Sequence, residues 1–84
     1  MRIKIDEVGN GLHPSEVVVQ VRSVEGPERL IVDRRAIEYN TIDVGYPVAE
    51  RNGNLLIELP RESLRGAWRV WVSREAITGE LATA

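Results

Sequence analysis

Arginine and tryptophan are concentrated in one segment of the sequence. Residues 61–74 contain four arginines, two tryptophans and a single acidic residue. In a strand over residues 67–72, the alternation of side chains puts Trp68 on the face that packs on the core and Trp71 on the opposite face. Tryptophan offers a large rigid contact area, and arginine pairs with anions or stacks on rings. The segment therefore predicts a binding surface made of Trp71, Arg69, Arg61, Arg65 and Arg74.

A protein partner, or a second copy of the chain, is the ligand that best suits this surface. The exposed edges of an open sheet also favour pairing with another chain. The alternative function is a small nucleic-acid-binding barrel, in which bases stack on Trp71 and arginines hold phosphates. The formal net charge of −2 weighs against that alternative. The alternative role for Trp71 itself is structural, as a cover over a second small core beneath residues 61–65 or under the C-terminal helix.

Residues that could carry out catalysis are few. The chain has one histidine and no cysteine. His13 stands between Leu12 and Pro14, in a segment that we interpret as a solvated loop. The serines lack the context of a nucleophile elbow, and the carboxylates lack the spacing of a calcium loop. We therefore predict no catalytic residue, no metal and no cofactor. An enzyme or small-ligand protein, the third hypothesis, would need a pocket with His13 or clustered carboxylates at its floor.

Length and composition predict one small globular domain. The chain has 84 residues, of which 43% are hydrophobic and 29% charged, a balance that disfavours disorder over the whole chain. The absence of cysteine favours a reducing compartment, because small secreted domains often need disulfides. No stretch approaches the roughly 20 apolar residues of a membrane span, and the charged N-terminal residues do not resemble a signal peptide. We expect a cytoplasmic protein without a membrane partner.

Alternating aliphatic residues indicate that β-strands position these side chains. Every second residue from Val17 to Val21 is valine, which predicts a strand over 16–23. A turn follows, and residues 29–32 return as the second arm of a hairpin. Asn52-Gly53 suits the positive φ angles of a type I′ turn and predicts a second hairpin.

The remaining elements complete a mainly β domain. Further strands are predicted over 1–8, 41–44, 48–51, 54–59 and 67–72, and short helical turns over 33–40, 61–65 and 73–78. The expected fold is a small barrel or sandwich of about five or six antiparallel strands, for which SH3-like barrels are an architectural analogy. Residues 1–78 would form the domain, and residues 79–84 a flexible C-terminal tail.

Two segments of the sequence resemble each other at an offset of 40 residues. Seven of the fifteen positions in 23–37 are identical in 63–77. The matching residues are Ser23, Gly26, Arg29, Val32, Arg34, Ala36 and Ile37, which correspond to Ser63, Gly66, Arg69, Val72, Arg74, Ala76 and Ile77. Asp33 meets Ser73, and both are good N-cap residues. The alternatives are two pseudo-repeats of about 40 residues and a chance agreement in a chain rich in valine and arginine.

Overall fold

Short antiparallel strands account for most of the backbone. The computed structural model describes residues 1–78, and the predicted tail at 79–84 lies outside the described residues. The strands are β1 (Arg2–Lys4), β2 (Asp6–Asn10), β3 (Glu16–Ser23), β4 (Gly26–Asp33), β5 (Thr41–Asp43), β6 (Ala49–Arg51), β7 (Asn54–Glu58), β8 (Arg69–Ser73) and β9 (Ile77–Thr78). Two single 3₁₀ turns, η1 (Arg34–Ala36) and η2 (Arg74–Ala76), follow β4 and β8. No helix within residues 1–78 is long and apolar enough to cross a bilayer.

The strands form three antiparallel sheets of three strands each. Two are meanders of consecutive strands, β2-β3-β4 and β6-β7-β8, and the third has the order β5-β1-β9. The prediction of a mainly β, antiparallel domain is confirmed. The sheets of residues 1–78 do not close into a barrel.

The hairpin of β3 and β4 follows from its valine pattern. Val17 and Val19 are buried and pair with Val32 and Leu30 on β4, in an unbroken register that ends at the Ser23–Gly26 pair. A two-residue turn joins the strands, and Gly26 takes the positive φ of 126° that a side chain would disfavour. The alternation therefore fixes which face of this sheet is buried.

The predicted type I′ turn is present between β6 and β7. Asn52 and Gly53 have φ angles of 53° and 81°, and Arg51 pairs with Asn54 across the turn. A second turn of this kind was not predicted. Tyr39 and Asn40 have φ angles of 50° and 58°, and Glu38 exchanges two backbone hydrogen bonds with Thr41.

Two of the predicted helical turns are shorter than expected, and one is absent. The helix expected over 33–40 stops after Ala36, because the Tyr39-Asn40 turn follows at once. The helix expected over 73–78 likewise stops after η2 and continues as β9. Residues 61–65 are not helical. Gly66 N–H donates to the Ser63 carbonyl, and this forms a β-turn with Gly66 at a φ of 89°.

One hydrophobic cluster connects all three sheets. Its buried members are aliphatic and come from both meanders and from the central sheet. Ile3 on β1 is fully buried and pairs with Ile42 on β5 and Ile77 on β9. Burial of these side chains is the main stabilising contribution in a domain of this size. The other large, fully buried side chains are Leu30, Ile57, Val17, Val19, Val21 and Val72.

The order of elements in the first half recurs in the second. Each half has a three-strand meander followed by a single 3₁₀ turn, and the two turns lie 40 residues apart. The offset differs in the middle strands. Val32 pairs with Val17, whereas Val72 pairs with Leu55, so β3 and β7 correspond at an offset of 38. The extra residues lie in the β7–β8 connection, which contains the Ser63–Gly66 turn.

Candidate interaction surfaces

Trp71 lies on the outer face of the β6-β7-β8 meander, as the alternation predicted. Val70 and Val72 beside it are buried, and the Trp71 side chain is half-buried. The Arg51 guanidinium carbon lies 5.0 Å from the centroid of its ring, a distance at which a cation is attracted by the π face. A cleft of about 230 Å³ beside the ring is lined by residues from the β3–β4 turn and from 51–54. The residues that line this cleft belong neither to 61–65 nor to the C-terminal helix predicted over 73–78, the two segments that the structural alternative expected above this ring.

The arginines expected to join Trp71 are distributed over separate elements. Arg69 is on the same face of β8, where its guanidinium lies 3.5 Å from a carboxylate oxygen of Glu58. Arg74, in η2, forms an ion pair with Glu50 of β6. Arg61 donates from Nη1 to the carbonyl of Ile31 at 3.0 Å. Because these groups have intramolecular partners, they do not form one free cationic surface.

Arg65 belongs to a cluster that attaches the β7–β8 connection to β4. Glu28 on β4 is 6% exposed and accepts a hydrogen bond from Ser63 Oγ at 2.8 Å and one from the Arg65 guanidinium. The same Ser63 oxygen accepts from the Ala67 N–H at 2.9 Å. The Leu64 N–H donates to the Arg29 carbonyl at 2.7 Å. This set of bonds covers part of the free edge of β4 and fixes the position of the connection.

The charge state of Glu28 follows from these contacts. The hydrogen bond from Arg65 lowers the pKa of the carboxyl group, burial raises it by less, and the Ser63 hydrogen bond lowers it further. The resulting pKa lies below the usual value of a glutamate. Glu28 is therefore ionised at neutral pH, and its two partners compensate for the burial of its charge.

Trp68 is exposed, which corrects the prediction that it lies in the core. β8 begins only at Arg69, so the alternation expected from residue 67 does not extend to Trp68. Its side chain is 56% exposed, and it lines a cleft of about 400 Å³ together with Leu12, Leu64 and Ile31. Leu12 and Leu64 are 87% and 60% exposed. The most apolar exposed surface near the predicted site is thus formed around the other tryptophan, and Arg61 is the only predicted site residue that lines it.

This Trp68 cleft and the Trp71 cleft each lie beside a Ser-x-x-Gly turn that bonds to a strand of the other half, although the two acceptor residues are not at equivalent positions. In each, the second residue of a Ser-x-x-Gly turn donates its N–H to a strand of the other half: Val24 to the Trp71 carbonyl, Leu64 to the Arg29 carbonyl, both at 2.7 Å. Ile31 is at the position of β4 that corresponds to Trp71 on β8 at the offset of 40. The match of the two Ser-x-x-Gly segments is visible in the sequence at the offset of 40. The bond from each turn to a strand of the other half is visible only in the structure.

Within positions 1–78, the side chains that could support catalysis are dispersed. His13 is exposed in the β2–β3 loop, where its N–H donates to the Glu16 carboxylate and its carbonyl accepts from the Glu16 N–H. A further cleft, of about 580 Å³, is lined by both basic and acidic side chains but not by His13. No group of three or more His, Asp or Glu side chains within residues 1–78 is placed to hold a metal ion. The pocket that the enzyme hypothesis required is therefore not found around His13.

Comparison with known proteins adds no identification: no protein-family model, no curated protein and no solved structure matches this chain.

Proposed function

We propose that the chain is a non-enzymatic protein-interaction module and that the Trp68 cleft is its principal contact surface. The observation that carries the proposal is the exposure of Leu12, Leu64 and Trp68 around one cleft. Exposed apolar side chains that cluster in this way mark interaction sites, since burial on binding removes their apolar area from water. Tryptophan is enriched among the residues that dominate binding energy.

The anchor of the proposed surface is Trp68 rather than Trp71. Arg51 already covers one face of the Trp71 ring, and Trp71 is half-buried. Trp68 has no cation over its ring within residues 1–78 and lies next to two exposed leucines. Binding at the Trp68 ring therefore displaces no internal cation. Trp71 and Arg69 would contribute to a second, weaker contact region on the outer face of β8.

A nucleic-acid ligand is less well supported than a protein. Phosphate binding needs free cationic groups, and three of the predicted arginines, Arg65, Arg69 and Arg74, form ion pairs with carboxylates. The fourth, Arg61, is hydrogen-bonded to a backbone carbonyl. Any nucleic acid would have to compete with these contacts.

We also propose that the chain arose as an internal duplication. Seven residues are identical at an offset of 40, and η1 and η2 are separated by the same 40 residues. Each Ser-x-x-Gly turn also donates a backbone hydrogen bond to a strand of the other half. In such an arrangement each half would contribute one turn to a cleft formed with the other half, and the two clefts would have diverged in their side chains.

The test is cross-linking capture from a lysate with three versions of the chain: wild type, Trp68→Ala and Trp71→Ala. Circular dichroism and thermal unfolding first establish that both variants are folded. We expect Trp68→Ala to lose a protein that wild type and Trp71→Ala retain, with or without nuclease. Equal capture by all three versions would contradict the assignment to Trp68, and loss on nuclease treatment would favour nucleic acid.

A further inference from the structure

We infer that the Trp68 cleft binds a cationic side chain, an arginine or lysine, that the protein partner presents next to an apolar residue. The inference rests on the proposed function and specifies the chemistry of its partner. It has two separate observations behind it: the charges that line the cleft, and the internal contact that occupies the corresponding cleft at Trp71.

The charges that line the Trp68 cleft favour a cation. The cleft has two carboxylates, Glu16 and Glu62, and one guanidinium, that of Arg61. Arg61 is directed to the Ile31 carbonyl. Glu16 accepts a hydrogen bond from a backbone N–H, and Glu62 forms no ion pair within residues 1–78. A partner with a positive side chain is therefore attracted, and an acidic partner is repelled.

The corresponding cleft at Trp71 shows which group fits such a site. There the Arg51 guanidinium lies over the indole ring. Arg51 pairs with Asn54, the first residue of β7. In the first half, Gly11 lies opposite Glu16, the first residue of β3, and donates its N–H to the Glu16 carbonyl. Gly11 is therefore the counterpart of Arg51 in the first half. Glycine has no side chain to cover the cleft. A Cβ atom at Gly11 would lie 2.4 Å from the Cβ of Glu16, so the backbone there excludes one.

In the Trp68 cleft, Ile31 occupies the position that corresponds to Trp71, and the indole ring is supplied by Trp68 from the β7–β8 connection. No cation of residues 1–78 lies over that ring. A guanidinium supplied by a partner can stack on the exposed Trp68 ring while a carboxylate of the cleft pairs with it. Leu12 and Leu64 flank the ring and provide the contact area for an adjacent apolar side chain. A volume of about 400 Å³ accommodates these two side chains but not a folded element.

The experiment uses three synthetic peptides and the full chain. The probes are acetyl-Ala-Leu-Arg-Leu-Ala-amide, the same peptide with citrulline in place of arginine, and the same peptide with glutamate. Citrulline keeps the shape of arginine and removes its charge. Binding is followed by the NMR signals of the two indole N–H groups, and Trp71, whose ring is already covered by Arg51, serves as the internal reference.

We expect the arginine peptide to shift the Trp68 indole signal saturably and to leave the Trp71 signal in place. The citrulline peptide should bind roughly fivefold more weakly or worse, the loss expected for one cation–π contact with its ion pair. Glu62→Gln should weaken the arginine peptide by about twofold to fivefold, since an exposed ion pair contributes little. The matched control, Glu58→Gln, removes a carboxylate outside the cleft and should leave binding unchanged.

Three results would overturn the inference. They are equal binding of the arginine and citrulline peptides, preference for the glutamate peptide, and no Trp68 shift with arginine at millimolar peptide. A Trp68 shift that depends on protein concentration without peptide would identify a second copy as the occupant instead. If the arginine peptide fails while Trp68→Ala still loses a captured protein, the cationic partner is excluded and the proposed function stands. If both experiments fail, both proposals fall.

Discussion

The two meanders share their order of strands but differ in how the connection to the last strand is held. In the first, two residues join β3 to β4, and the Ser23 hydroxyl bonds to the Gly26 carbonyl within the turn. In the second, the β7–β8 connection is long, and its Ser63 hydroxyl bonds to Glu28 of the other half. A short turn is therefore stabilised locally, whereas the long connection depends on a buried carboxylate from another strand. The same long connection carries Leu64 and Trp68 to the surface.

The largest effect expected in this comparison comes from a core position at which both halves carry valine. Val32 and Val72 occupy corresponding positions and are both buried. Val32→Ala and Val72→Ala should each lower the free energy of unfolding by about 2–3 kcal/mol, from lost transfer energy and the cavity left behind. Because one cluster contains both residues, each variant should unfold in a single transition in urea. Two separate transitions would show that the halves are independent units.

The second comparison concerns the two serines. Ser63→Ala removes a donor to the buried Glu28 and an acceptor for the Ala67 N–H, so it should cost about 1–3 kcal/mol. Ser23→Ala removes one bond inside a tight turn and should cost about 0.5–1 kcal/mol. Chemical denaturation of both variants measures the difference. Equal losses would mean that the Glu28 cluster does not hold the connection more strongly than the local turn.

The smallest expected effect concerns the caps of η1 and η2. Asp33 accepts a hydrogen bond from the Arg35 N–H, whereas Ser73, with similar backbone angles, makes no side-chain cap bond. The double variant Ser73→Asp, Glu75→Arg gives η2 the same capping residue and the same arginine partner that Asp33 and Arg35 provide in η1. It should raise the free energy of unfolding by about 0.5–1 kcal/mol, the usual value of an N-cap. No gain in thermal denaturation would indicate that packing alone fixes η2.

Much of the fold could be predicted from the sequence because its signals are local. The valines of β3 and the Asn52-Gly53 turn each report their structure within a few residues. The Tyr39-Asn40 turn was missed because it lacks the glycine that usually marks positive φ. The strand count was too low because Ile5 interrupts the first predicted strand and β9 was read as helix.

The candidate site was harder to predict because its contacts are distant in the sequence. Whether Trp68 is buried depends on where β8 begins, and alternation alone does not give the first residue of a strand. The pairing of Arg65 with Glu28 joins residues 37 positions apart. Residue types predicted an Arg/Trp segment, but the arrangement of the turns decided which tryptophan is free.

The pairing of β1 with β9 has a consequence for folding during synthesis. Ile3 is packed between residues of β5 and β9, and Arg2 is paired with Thr78, 76 positions later. As the chain leaves the ribosome, the β3–β4 hairpin can form early, because the backbone pairs between its two strands are local. The central sheet has to wait until residues 77–78 have emerged from the exit tunnel. At translation rates of about 5–20 residues per second, the edge of β1 that pairs with β9 therefore stays unpaired for several seconds after β5 has been synthesised.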